Sequence, residues 1–161
     1  MSSRRRSRTT SKGSPKAAGK GRSSARTSAE ASAGASSSAA RPCPCGLPEA
    51  YERCCGRFHS GGAAAPTAEA LMRSRYSAYV VRDEAYLLRT WHPRTRPASL
   101  GLDPGVRWTG LEILATTDGS AFHTTGTVTF RASFQDGSLH ERSRFERVDG
   151  AWVYVDGEFL E

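Results

Sequence analysis

Apolar residues change their spacing along the chain, and each change marks a boundary. From Ser2 to Ala40 there is no Leu, Ile, Val, Phe, Tyr or Trp. Leu71, Met72, Tyr76, Tyr79 and Val80 then recur at three- and four-residue spacing, the stripe of an amphipathic helix that starts near Pro66-Thr67. Arg73, Ser74, Ser77 and Arg82 fall largely off that stripe. Asp83 can cap a second, shorter helix from Glu84 to about Thr90, with Leu87, Leu88 and Trp91 inward and Pro93 as the stop. Residues 94–105 read as a loop. After it the period falls to two: 107–114 is a strand closed by Asp118-Gly119, Phe122 to Phe134 a longer one, then Leu139 to Val148 and Trp152 to Val155. Asp136-Gly137 and Asp149-Gly150 sit where hairpin turns belong. Helices followed by an antiparallel meander predict an α+β fold, with helices packed on one face of a curved sheet.

Composition divides the chain more sharply than periodicity does. The formal charge of +7 suggests a nucleic-acid binder until it is located. Residues 1–40 carry nine basic side chains against Glu30 alone, whereas residues 41–161 hold 14 basic and 15 acidic ones. The first 40 residues therefore read as a basic tail that cannot offset about 1–2 kcal/mol of backbone entropy per residue and should be disordered. Its Arg- and Ser-rich composition also resembles a transit peptide, although it lacks the large apolar residues of an amphipathic one. A weak, salt-sensitive and nonspecific nucleic-acid contact is the chemistry such a tail offers. No stretch is long and apolar enough to span a membrane.

Four cysteines, Cys43, Cys45, Cys54 and Cys55, fall within 13 consecutive positions. A secreted disulfide framework spreads its cysteines to tie distant loops together, so the clustering points to a metal in a reducing compartment, the cytoplasm. Four thiolates match a structural zinc site, and one Zn2+ is expected. The C-x-C and C-C spacings are tight, and Gly46 and Gly56 are expected to supply the positive φ that sharp turns need. Residues 41–62 hold too few apolar groups to fold by burial, so the ion must organise this knuckle. His59 is a further candidate ligand or a neighbour of the site.

The run CPCGLPEAYERCCGRFH at 43–59 resembles the SEC-C zinc motif at the tail of the SecA preprotein translocase, with cysteine at all four ligand positions. LMRSRYSAYV at 71–80, YLLRTWHP at 86–93, ERSRF at 141–145 and WVYVDG at 152–157 resemble the bacterial YchJ-like family. The resemblance implies a SEC-C knuckle, residues 41–62, before a cone-shaped domain like that of nuclear transport factor 2, residues 63–161. It brings no reaction with it.

Cones of this type hold a pocket between helix and sheet, and Arg73, Tyr76, His92, Arg142, Arg144 and Asp156 are its candidate residues, with Arg75, Tyr79, Trp108 and Tyr154 as further polar or aromatic ones. A His92–Asp156 pair could do acid–base chemistry, and converging arginines could hold a carboxylate or phosphate. The plainer alternative is a capping histidine and arginines paired with surface carboxylates such as Glu69 or Glu141. No phosphate loop or nucleophile elbow is present. The resulting expectation is a non-catalytic binding or adaptor protein whose knuckle meets a protein or ribosomal partner. Its alternative is a small-molecule binder or enzyme built on the cone pocket, and a homodimer fits either.

Overall fold

The computed structural model describes residues 40–161. The basic segment read as disordered therefore lies outside the described residues, apart from Ala40. One short helix, α1 (Cys55–His59), belongs to the knuckle, and two helices and four strands follow it: α2 (Ala68–Val81), α3 (Glu84–Arg89), β1 (Trp108–Asp118), β2 (Thr125–Phe134), β3 (Gly137–Val148) and β4 (Ala151–Phe159). The cap read at Asp83 is made, and the helix start read at Pro66-Thr67 is capped by Thr67. The Thr67 side chain accepts from the Ala70 N–H and the Asp83 carboxylate from the Tyr86 N–H, so each meets one of the N–H groups that a helix start leaves unpaired. The left-handed conformation of Arg82 ends α2.

The strands form one antiparallel meander in the order β1-β2-β3-β4. Register irregularities in β1 and between Arg144 and Phe145 add local bends. Val128, Phe130 and Ala132 of β2 and Phe145 of β3 share a core with Leu71, Met72 and Tyr76 of α2. The free edge of β4 is covered by the chain leaving α3: the Tyr154 N–H donates to the Thr90 carbonyl at 2.8 Å and the His92 N–H to the Tyr154 carbonyl at 2.7 Å. No helix among the described residues is long and apolar enough to cross a membrane.

Four expectations need correction. The second strand starts at Thr125, and Phe122 is 97% exposed in the preceding loop. Asp149-Gly150 makes a two-residue turn with both residues at positive φ, but the β2–β3 loop is Gln135-Asp136, and Gly137 already belongs to β3. The last strand does not end at Val155 but runs on through Asp156 and Gly157 to Phe159. Ser74 and Ser77, off the apolar stripe, are fully buried. The cause of the last is that α2 is covered on two sides, by the sheet and by the knuckle.

Candidate metal centre and cavity

The knuckle is a small hairpin. Its arms meet through an antiparallel bridge between Pro42 and Ala50, with the Cys43 N–H donating to the Glu49 carbonyl and the Tyr51 N–H to that of Arg41. Gly46 makes the turn at φ 83°. Gly56 does not use positive φ. It lies in α1, where a Cβ would come within 2.7 Å of the Tyr51 carbonyl oxygen, so close approach is what requires glycine there. A 3-10 turn at Tyr51–Arg53 and then α1 bring Cys54 and Cys55 under the first cysteine pair.

The four sulfurs all lie within 4.8 Å of one another, and all four cysteines are free and buried. Cys45 and Cys54 are 3.6 Å apart at sulfur, and Cys54 and Cys55 4.0 Å. Thiolates bound to one ion at about 2.3 Å in a tetrahedron lie about 3.8 Å apart, so the donor set fits a thiophilic divalent cation. The hydrogen bond from Cys55, opposed by burial, lowers Cys45 to about 5, while burial first and then hydrogen bonds with Cys43 and Cys45 push Cys54 up to about 12. Cys55 is also raised, chiefly by the hydrogen bond it gives Cys45. One thiolate is tolerated readily, and a cation supplies the charge that lets the others ionise.

α2 grips this centre from behind. The Ser77 hydroxyl is 3.7 Å from the Cys43 sulfur, and Arg73 donates from Nη1 to the Cys45 carbonyl at 3.1 Å. His59 is a strut rather than a member of the sulfur cluster. Its Nε2 donates to the Ser74 carbonyl at 2.8 Å, which leaves Nδ1 to accept from the Tyr51 hydroxyl at 2.7 Å. Arg89 of α3 reaches the Phe58 and His59 carbonyls at the end of α1.

On the far side of α2 a cavity of about 230 Å³ opens between the helix and the sheet. Met72, Tyr76, Tyr79, Trp108 and Phe130 give it apolar walls, and Arg75, Glu141, Ser143 and Tyr154 supply polar groups. Arg75 is 3% exposed. Its guanidinium lies 4.9 Å from the Trp91 ring centre and 4.5 Å from that of Tyr154, and Nη1 donates to the Leu87 carbonyl and the Thr90 hydroxyl, both at 2.8 Å. Burial lowers its pKa, but guanidinium starts so high that it keeps its charge. Burial likewise raises Tyr76, Tyr79 and Tyr154, which stay neutral phenols.

Of the six pocket residues expected from sequence, Tyr76 lines this cavity and the other five do not. Arg73 faces the knuckle and pairs with Glu69 at 2.8 Å. Arg142 and Arg144 project from the other face of β3 into ion pairs with Glu158 and Asp156 across the β3–β4 register. His92 is buried at the β4 edge, its Nδ1 accepting from the Arg94 N–H and its Nε2 3.6 Å from Glu146. Asp156 is bound to Arg144, so the His92–Asp156 pair is not formed. Strand alternation explains the exchange: Arg142 and Arg144 share a parity, while Glu141 and Ser143 share the parity of the core residue Phe145. Glu141, read as a surface partner for arginines, faces the cavity for that reason.

Comparison with known proteins agrees with this architecture. The family described as "YchJ, middle NTF2-like domain" matches residues 67–157. A UPF0225 protein of Streptomyces coelicolor is 82% identical over 120 residues, covering 74% of this chain and 97% of its own. A UPF0225 protein of Corynebacterium glutamicum is 53% identical over 119 residues, covering 72% of this chain and 95% of its own. The solution structure of a SEC-C motif containing protein from Rhodopseudomonas palustris superposes with a TM-score of 0.65 at 32% identity, over 75% of this chain and all of that one. A SEC-C motif containing protein from Psychrobacter arcticus gives 0.61 at 29% identity, over 75% of this chain and 84% of that one. Four clustered cysteines ahead of a helix-backed antiparallel sheet, and relatives matched over nearly their whole length, lead to one assignment: the chain belongs to the YchJ-like UPF0225 family.

Proposed function

We propose that the protein is a non-catalytic small-molecule binder whose cone cavity is the functional site and whose single structural Zn2+, held by Cys43, Cys45, Cys54 and Cys55, braces the helix behind that cavity. The observation that carries this reading is Arg75, a buried cation clasped between Trp91 and Tyr154 and set in the cavity wall. A buried cation set in a cavity wall is a candidate binding group, because a ligand of opposite charge can be matched to it there. The zinc reading rests on an all-sulfur donor set at tetrahedral spacing. Four free buried thiols support a reducing compartment, the cytoplasm.

Native mass spectrometry of protein purified without chelator tests both parts together. The expected mass carries one zinc per chain and, on gentle desolvation, a retained small molecule. Protein isolated from its own cytoplasm with no metal would sink the zinc assignment. A second reading, the knuckle as an adaptor for a protein or ribosomal partner, has one feature in its favour: Leu47, beside the Gly46 turn, is 40% exposed. Replacing Leu47 with Asp should abolish co-sedimentation with ribosomes under that reading and leave it unchanged under the first.

A further inference from the structure

The cavity carries two charged groups of opposite sign, Arg75 and Glu141, which attract each other without forming a direct ion pair. Both side-chain hydrogen bonds of Arg75 come from Nη1, and among the described residues Nε and Nη2 have no partner. Trp91 Nε1 is the one fully buried polar side-chain atom there that lacks a partner. The Arg75 nitrogens are not so enclosed, and Arg75 lines the cavity. Glu141 is fixed from one side only. Its Oε1 accepts from the Ser143 hydroxyl at 2.6 Å and stands 3.5 Å from the Tyr154 hydroxyl, while Oε2 has no hydrogen-bond partner among the described residues. A Cβ on Gly157 would collide with that Oε1, so the missing side chain makes room for the carboxylate.

Such an arrangement selects its ligand by charge. An anion alone would meet Arg75 but leave Glu141 unmatched, and a cation alone would do the reverse. Arg75 is almost wholly buried and Glu141 partly so, and a molecule carrying both signs satisfies both poles where an ion of one sign satisfies one. The fork of an arginine suits a carboxylate, and a carboxylate suits an ammonium. Tyr76, Tyr79, Trp108 and Phe130 then offer flat apolar walls for the remainder. A volume of about 230 Å³, against about 30 Å³ for each water, accommodates on the order of ten non-hydrogen atoms. We infer that the cavity binds a small zwitterion of the amino-acid type with an aromatic or similarly apolar side chain, its carboxylate on Arg75 and its ammonium on Glu141. This deepens the cavity reading and rests on it.

The test is calorimetric titration of the full chain with L-phenylalanine, 3-phenylpropionate, phenethylamine and benzyl alcohol, which carry both charges, the anion, the cation and neither. Phenylalanine should bind at least tenfold tighter than any of the others. Glu141→Gln should erase its advantage over phenylpropionate, and Arg75→Met its advantage over phenethylamine. If Arg75→Met does not fold, the Glu141→Gln comparison alone decides. Benzyl alcohol binding as tightly as phenylalanine would overturn the zwitterion and leave the cavity reading standing. No binding by any of the four at millimolar concentration would overturn both.

Discussion

On one side of α2, Ser74 and Ser77 meet a histidine, a phenol and a thiol of the segment that precedes the helix or the helix that follows it. On the other, Met72 and Tyr76 meet Phe130 and Ala132 across the cavity. The knuckle side has little apolar packing: its four cysteines cluster with Tyr51 as their one partly buried apolar neighbour, and Phe58 alone of its large apolar side chains joins the main core. The sheet side is an ordinary core, in which Leu71, Leu87, Val128 and Phe145 are fully buried. One helix thus joins a region ordered by ligands and hydrogen bonds to one ordered by the hydrophobic effect, and the two should fail under different insults.

If the cysteines hold the proposed zinc, the largest contrast should come from removing it. Structural zinc is worth on the order of 10 kcal/mol or more in small knuckles, so chelation, or Cys45→Ser with Cys55→Ser, should release residues 41–59. Hydrogen exchange is expected to lose protection there and at Ser77 while β2 and β3 stay protected. Uniform loss across the sheet would mean that the two regions are one cooperative unit. The converse insult is Phe145→Ala, which empties a site 1% exposed and should cost about 3–5 kcal/mol in urea unfolding with no change in zinc content below the transition. A smaller effect is expected at the join. Ser77→Ala deletes the hydroxyl beside the Cys43 sulfur, and loss of such outer partners typically weakens metal affinity by about tenfold or more. Competition against a fluorescent chelator measures it, and an unchanged affinity would reduce Ser77 to packing.

The difference between the two sides also decides what could be read from sequence. Local rules found the helix start at Pro66-Thr67 and the cap at Asp83, because an N-cap depends on the next three residues only. They found the meander, because alternation is a property of each strand alone. The cysteine cluster was legible from spacing within 13 residues. Ser74 and Ser77 were not, because a small hydroxyl residue looks the same on a solvated face as on one where another segment docks. Glu141 was legible in principle: it sits an even number of residues from Phe145, and parity outweighs charge once the strand is fixed. Arg75, Tyr79, Trp108 and Tyr154 were among the candidates read from sequence and line the cavity, but the clasp on Arg75 required knowing that Trp91 and Tyr154 come together across 63 residues, which no local pattern encodes.

His59 holds the two regions to each other, and its titration gives the smallest and most specific test. Its ring bridges Tyr51 and the Ser74 carbonyl and lies 4.4 Å from the Tyr86 ring centre, and burial lowers its pKa below the ordinary 6.5. The unfolded chain therefore binds a proton, as pH falls through about 6.5, that the folded chain refuses. Stability should be full above that value and decline below it, until the folded-state pKa is reached. Metal loss in acid bends the curve the same way, so the comparison must be made at saturating zinc. His59→Gln, which keeps hydrogen-bonding groups and cannot ionise, should flatten the decline between pH 6.5 and the folded value in urea titrations. An unaltered slope in that variant would assign the acid sensitivity to the thiolates and leave His59 a passive strut.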